Sequence, residues 1–143
     1  MKEVLLSLVM WISQNSSFVY DGQALPEVKQ ISNAQLAHIM FAGNVPAGYD
    51  EHGLVALYQN TEEMIYISDT VDLDTDYGKS VLLHELVHHL QFNAGAHKEV
   101  FCLKSLESDA YELQNNYLVS LNYAPPFDKM NIFFKSFCDN GTL

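Results

Sequence analysis

His84, Glu85 and His88 spell the pattern HExxH inside the run Ser80 to Phe92. On a helix, residues four apart lie one above the other, so His84 and His88 offer imidazole nitrogens to one point in space. Glu85 sits about 100° further round the axis. There it flanks an ion without being its natural ligand, and can take a proton from water bound to that ion. Zinc is the metal that neutral imidazoles and a carboxylate suit, and a catalytic zinc keeps one position open for water. Leu83, Leu86, Val87 and Leu90 surround the motif with apolar side chains. A buried helix carrying three polar groups needs partners for them, and a metal with its water supplies these.

The third ligand is expected from a second helix. Glu107 follows His88 by nineteen residues, in a segment whose Leu103, Leu106, Ala110, Leu113, Tyr117 and Leu121 recur at helical spacing. A glutamate on that apolar face is rare unless paired or metal-bound, whereas Glu112 reads as an ordinary solvated charge. Asp109 is the alternative ligand.

His84-Glu85-x-x-His88 followed by Glu107-x-x-Ala110 resembles the gluzincin metallopeptidases, in particular the minigluzincins and related bacterial zincin-like domains. The resemblance spans roughly residues 25 to 121, with its specificity in those two motifs. It implies a zincin-like fold, one zinc ion on His84, His88 and Glu107, peptide-bond hydrolysis with Glu85 as general base, and a strand along the cleft that pairs with an extended substrate. Many gluzincins carry an aspartate four residues after the ligand glutamate to support a ligand histidine. Tyr111 stands there, so the support must come from elsewhere, with Asp109 or a main-chain oxygen as candidates. Tyr111, Tyr117, His89 and His97 are the candidate donors to the transition state, and His89 otherwise reads as a residue behind the ligands or at the surface.

Several elements must position these groups. The motif helix is expected over about 80–92, capped by Ser80 or Asp76 and ended by Asn93-Ala94-Gly95; the glutamate helix over about 101–121. Leu54 to Tyr58 and Met64 to Ile67 are rich in β-formers around a polar five-residue stretch, which predicts a hairpin over about 54–67 packed on the motif helix. Val4, Leu5, Leu8, Val9 and Ile12 form the stripe of an amphipathic helix reaching about Ser13. Pro26 opens a short turn, and Ser32 caps a helix over about 33–42. Phe127 to Phe137 predicts a last short helix that covers the core or walls a specificity pocket. The whole reads as one α+β domain over 1–143.

Asp72-x-Asp74-x-Asp76-x-Gly78 fails as a calcium loop, because Tyr77 and Leu83 stand where glycine and glutamate are required. Seven lysines, no arginine and a net charge of −11 argue against a nucleic-acid surface and leave a peptide or protein substrate as the expected partner. No run approaches the ~18 apolar residues of a membrane span, so a soluble chain is expected, with export after removal of a signal peptide left open. Cys102 and Cys138 pair, stay reduced or are inert thiols; neither has zinc-site spacing. The function expected is zinc-dependent peptide hydrolysis. The rival is a latent zincin-fold module that binds metal or a partner without turnover.

Overall fold

The computed structural model describes residues 1–138. The amphipathic stripe near the start forms α1, Lys2–Asn15, and buries Leu5, Leu8, Val9 and Ile12. Where a turn is expected after Pro26 there is instead a strand, β1, Glu27–Ile31. Three of its five side chains are exposed, as an edge strand allows, which hides the period-two pattern. Ser32 caps α2, Asn33–Met40, in a reciprocal box with Gln35.

The hairpin is β2, Ala56–Gln59, and β3, Met64–Ser68, paired antiparallel with Gln59 opposite Met64. β1 lies parallel to β3 on its other side, so a three-stranded mixed sheet of order β1-β3-β2 replaces the two-stranded hairpin. The central strand buries Ile65 and Ile67 completely.

The motif helix, α3, is longer than expected, Asp76–Asn93. Thr75, rather than Ser80 or Asp76, is its cap: the Thr75 hydroxyl accepts from the Gly78 amide at 3.0 Å. Gly78 is required there, because a Cβ would stand 2.0 Å from the Asp72 carbonyl oxygen. Gly95, at φ 76°, takes the left-handed conformation just beyond the helix. From Ser80 to Gln91 all but one of the residues of α3 are buried, since α1, the sheet and the next helix enclose it.

That next helix, α4, is Glu107–Ser120 and not the longer span expected from about 101. Cys102 is extended and Leu103–Leu106 is a 3₁₀ turn, so Leu103 faces solvent; Leu121 lies past the end and is exposed too. Leu106, Ala110 and Leu113 carry the inward face, while Tyr117 meets Trp11 of α1 edge-on with ring centroids 5.4 Å apart. The final helix, α5, is Lys129–Ser136, capped by Asp128. Cys102 and Cys138 form a disulfide with Cα atoms 6.0 Å apart, tying the end of α5 to the entry of α4. Among the described residues, no helix is long and apolar enough to cross a membrane.

Candidate metal centre

The packing of α3 on α4 brings His84, His88 and Glu107 together: one ligand atom from each lies within 4.8 Å of the others. His84 Nε2 is 3.4 Å from one Glu107 carboxylate oxygen, and His88 Nε2 touches the other. His84 is buried, His88 nearly so and Glu107 half-buried. Glu107 is the first residue of α4, where the helix dipole and free amides favour a carboxylate.

The far side of each imidazole is held by a glutamine. Gln91 Nε2 donates to the Leu106 carbonyl at 2.9 Å, and a carbonyl can only accept, so Gln91 Oε1 must face His88 Nδ1, at 2.8 Å. Ser80 Oγ donates to the Tyr77 carbonyl at 2.6 Å and accepts from Gln114 Nε2 at 3.1 Å. Gln114 Oε1 therefore faces His84 Nδ1, at 2.9 Å. Both imidazoles are thereby held with a proton on Nδ1 and with Nε2 turned to the Glu107 carboxylate. Three electron-pair donors converging in a buried place require a cation between them or a proton on an imidazole, and the set fits a divalent metal ion.

Without an ion, a proton on His88 takes that role. Burial alone would lower the His88 imidazole, but the Glu107 carboxylate, Glu85 and Gln91 outweigh it and push His88 up to about 9. Burial would raise Glu107, yet hydrogen bonds from His84 and His88 hold its carboxyl well below the usual range. Burial raises the Glu85 carboxyl against the opposing pull of the two imidazoles.

His84, Glu85 and Glu107 open onto a cleft of about 430 Å³. Gly53 to Ala56, leading into β2, line one side; Tyr111, Phe127 and Lys135 line another. The Tyr111 ring packs edge-on against His84, with centroids 4.4 Å apart, and its hydroxyl is kept protonated by burial and by the charges of Glu107 and Glu85. Lys135 holds its ammonium 5.2 Å from the centre of the Tyr111 ring and 5.9 Å from that of Phe127.

The remaining candidates lie elsewhere. Asp109 is exposed and lines a shallow recess with Asn15 and Phe18. It neither joins the ligand atoms nor supports a histidine. His89 points away from the cleft: its Nε2 donates to the Ala24 carbonyl at 3.0 Å and its Nδ1 accepts from the Tyr58 hydroxyl at 2.9 Å. His97 stacks on Phe92 and Tyr117 packs on Trp11, both outside the cleft. Gln91 and Gln114 are the residues that sequence reasoning missed. The available signal was position: Gln91 is an amide within an apolar run three residues after His88, and Gln114 lies two helical turns after Glu107 on the same face.

No curated protein and no solved structure matches this chain. A family profile does, over residues 1–142, and the chain belongs to that family, described as a domain of unknown function, DUF6647.

Proposed function

We propose that the chain is a zinc-dependent peptidase of zincin-like architecture. The observation that carries this reading is the convergence of His84, His88 and Glu107 on one point, beside a buried Glu85, at a cleft bordered by the approach to a sheet edge. Zinc held by these three residues would supply Lewis acidity, polarising the scissile carbonyl and making water nucleophilic at neutral pH.

Glu85 would accept the proton of the attacking water and pass it to the leaving amine; burial raises its carboxyl above the ordinary value, which favours its holding that proton between the two halves of the transfer. β2 borders the sheet, and an extended substrate backbone can add to that edge. Tyr111, with its hydroxyl kept protonated in the cleft, is the best-placed donor to a developing oxyanion. The cleft is open rather than filled by a described segment of the chain, which favours turnover over a latent metal-binding module. The Cys102–Cys138 disulfide favours an oxidising compartment outside the cytoplasm.

The test combines elemental mass analysis of the purified chain with mass-spectrometric detection of cleavage in a peptide mixture. About one zinc per chain is expected in the parent and in Glu85→Gln, with cleavage in the parent alone. A chain that takes up no zinc, or a Glu85→Gln variant that cleaves as fast as the parent, would overturn the assignment. Zinc uptake without any cleavage would favour the latent module.

A further inference from the structure

Helix α5 wears its apolar face outward. Met130, Phe133 and Phe134 on the helix and Phe137 at its C-cap recur at i, i+3, i+4 and i+7, the spacing of a buried stripe, yet all four are exposed, Phe134 by 64%. Its one buried residue is Ile132. The ring centroids of Phe133 lie 5.5 Å from Phe134 and 5.3 Å from Phe137, so the aromatics form a continuous surface. The disulfide extends it: Phe101, 75% exposed, adjoins Cys102, Phe137 adjoins Cys138, and exposed Leu103 follows in the 3₁₀ turn.

The charge of this face is opposite to that of the chain. The 3₁₀ turn Leu103–Leu106 and α5 carry Lys104, Lys129 and Lys135 and no carboxylate; of the carboxylates directly adjoining them, Asp128 is engaged as the cap of α5 and Glu107 faces His84 and His88. Three of the seven lysines of a chain of net charge −11 therefore lie in these two short segments, Lys104 and Lys129 exposed and Lys135 over the rings of the cleft. None of the five cavities described is lined by the six exposed apolar residues. A helical peptide partner would want a groove, and a two-fold pairing of stripes would turn the flanking lysines toward their own copies. A raised aromatic face bracketed by lysines suits a planar, fluid, anionic surface.

We propose that the face formed by α5 and the Leu103–Leu106 turn docks on an anionic lipid bilayer, with Phe133, Phe134 and Phe137 entering the headgroup boundary and Lys104 and Lys129 meeting acidic headgroups. α5 also walls the cleft through Lys135, so docking seats the cleft beside the bilayer. The proposal stands on this surface alone and holds whether or not the metal centre turns over peptides.

The test is co-sedimentation of the full chain with vesicles of phosphatidylcholine alone and of an equal mixture with phosphatidylglycerol. Binding is expected to the mixture, with a blue shift of added indole emission in a Phe134→Trp variant. A Phe133→Ser/Phe137→Ser variant and a Lys104→Gln/Lys129→Gln variant, both changed only at exposed positions, should bind the mixture about tenfold or more weakly. The lysine variant should leave any residual binding to phosphatidylcholine unchanged. Failure to sediment with the mixture, or equal binding by the serine variant, overturns the proposal. So does a parent that is dimeric in size-exclusion chromatography and turns monomeric in the serine variant, because a second copy then covers the stripe.

Discussion

Gln91 joins His88 to the carbonyl of Leu106, the residue directly before Glu107, so a single side chain ties the second histidine of the motif to the start of the helix that carries the carboxylate. Gln114 makes the equivalent tie for His84, but ends on a hydroxyl, Ser80 Oγ. The two glutamines should therefore respond differently to replacement by glutamate. A carboxylate in place of the Gln114 amide can accept from Ser80 if the hydroxyl turns away from Tyr77, and a carboxylate behind a ligand histidine raises its basicity. Gln114→Glu should keep or tighten metal binding. At position 91 the Leu106 carbonyl cannot donate, so Gln91→Glu sets two acceptors face to face in a buried place. It should cost about 2–4 kcal/mol of stability and about 10–100-fold in metal affinity. Chelator competition and thermal unfolding on the two variants check this; an equal loss in both would mean the amide orientations are not as assigned.

Metal uptake should expel a proton. In the metal-free chain the His88 imidazole is held up to about 9 by the neighbouring carboxylates despite its burial, so at neutral pH it is protonated. A metal ligand must be neutral imidazole, and the ion displaces that proton. Apparent affinity should rise by about tenfold per pH unit from 7 toward 9 and flatten above it. Calorimetric titration in buffers of different ionisation enthalpy reads the proton count directly, and binding without proton release would contradict the charge state described.

What the sequence made legible is what periodicity carries. The stripe of α1, the hairpin strands, the α3 helix around HExxH and the inward position of Glu107 follow from spacing, because apolar residues at 3.6 and 2.0 periods leave little freedom. β1 was illegible because an edge strand keeps polar side chains in water, and its Glu27, Lys29 and Gln30 read as loop. The start of α4 was misplaced because Leu103 and Leu106 fit a helical period equally well when wound as a 3₁₀ turn. Asp109 or a main-chain oxygen is what the sequence offers as a histidine support, because a carboxylate or carbonyl is the common partner, and Gln114 carries no such signal. Only the packing of α3 on α4 reveals that Gln114 faces Ser80 and His84 while Asp109 faces water.

The disulfide should act on the C-terminal face more than on the metal. Cys102 and Cys138 are separated by 36 residues, and closing such a loop stabilises by about 2–4 kcal/mol in the chain-entropy account. The bridge pins the end of α5 beside the turn that leads into Glu107. A Cys102→Ser/Cys138→Ser variant should unfold at a temperature lower by about 10 °C or more. It should still bind one metal ion, since Gln91 holds the Leu106 carbonyl independently. Thermal unfolding with metal analysis decides it, and complete loss of metal would show that the bridge itself sets the position of Glu107.

His88 and His89 are adjacent, yet substitution should separate them cleanly. His88→Ala removes a proposed ligand and should abolish metal binding, and in the metal-free chain it also leaves the Glu107 carboxylate without its protonated partner. His89→Gln should lower stability and leave metal binding intact. His89 is fully buried, and its two ring nitrogens join α3 to Ala24 in the strap before β1 and to Tyr58 on β2. A glutamine cannot span both partners, so about 2–3 kcal/mol of stability should be lost while one ion per chain is retained. Acid should narrow the gap between the parent and the variant. Burial lowers the His89 imidazole below its ordinary 6.5 despite the Ala24 hydrogen bond, so the folded chain prefers it neutral. Its contribution is complete above pH 6.5 and is lost as pH falls through the folded value. Denaturant unfolding of both proteins in chelator, from pH 8 down to 5, isolates this contribution as the difference between two curves. His88 titrates in both and cancels, so a difference that stays constant or grows on acidification would mean His89 is charged in the fold.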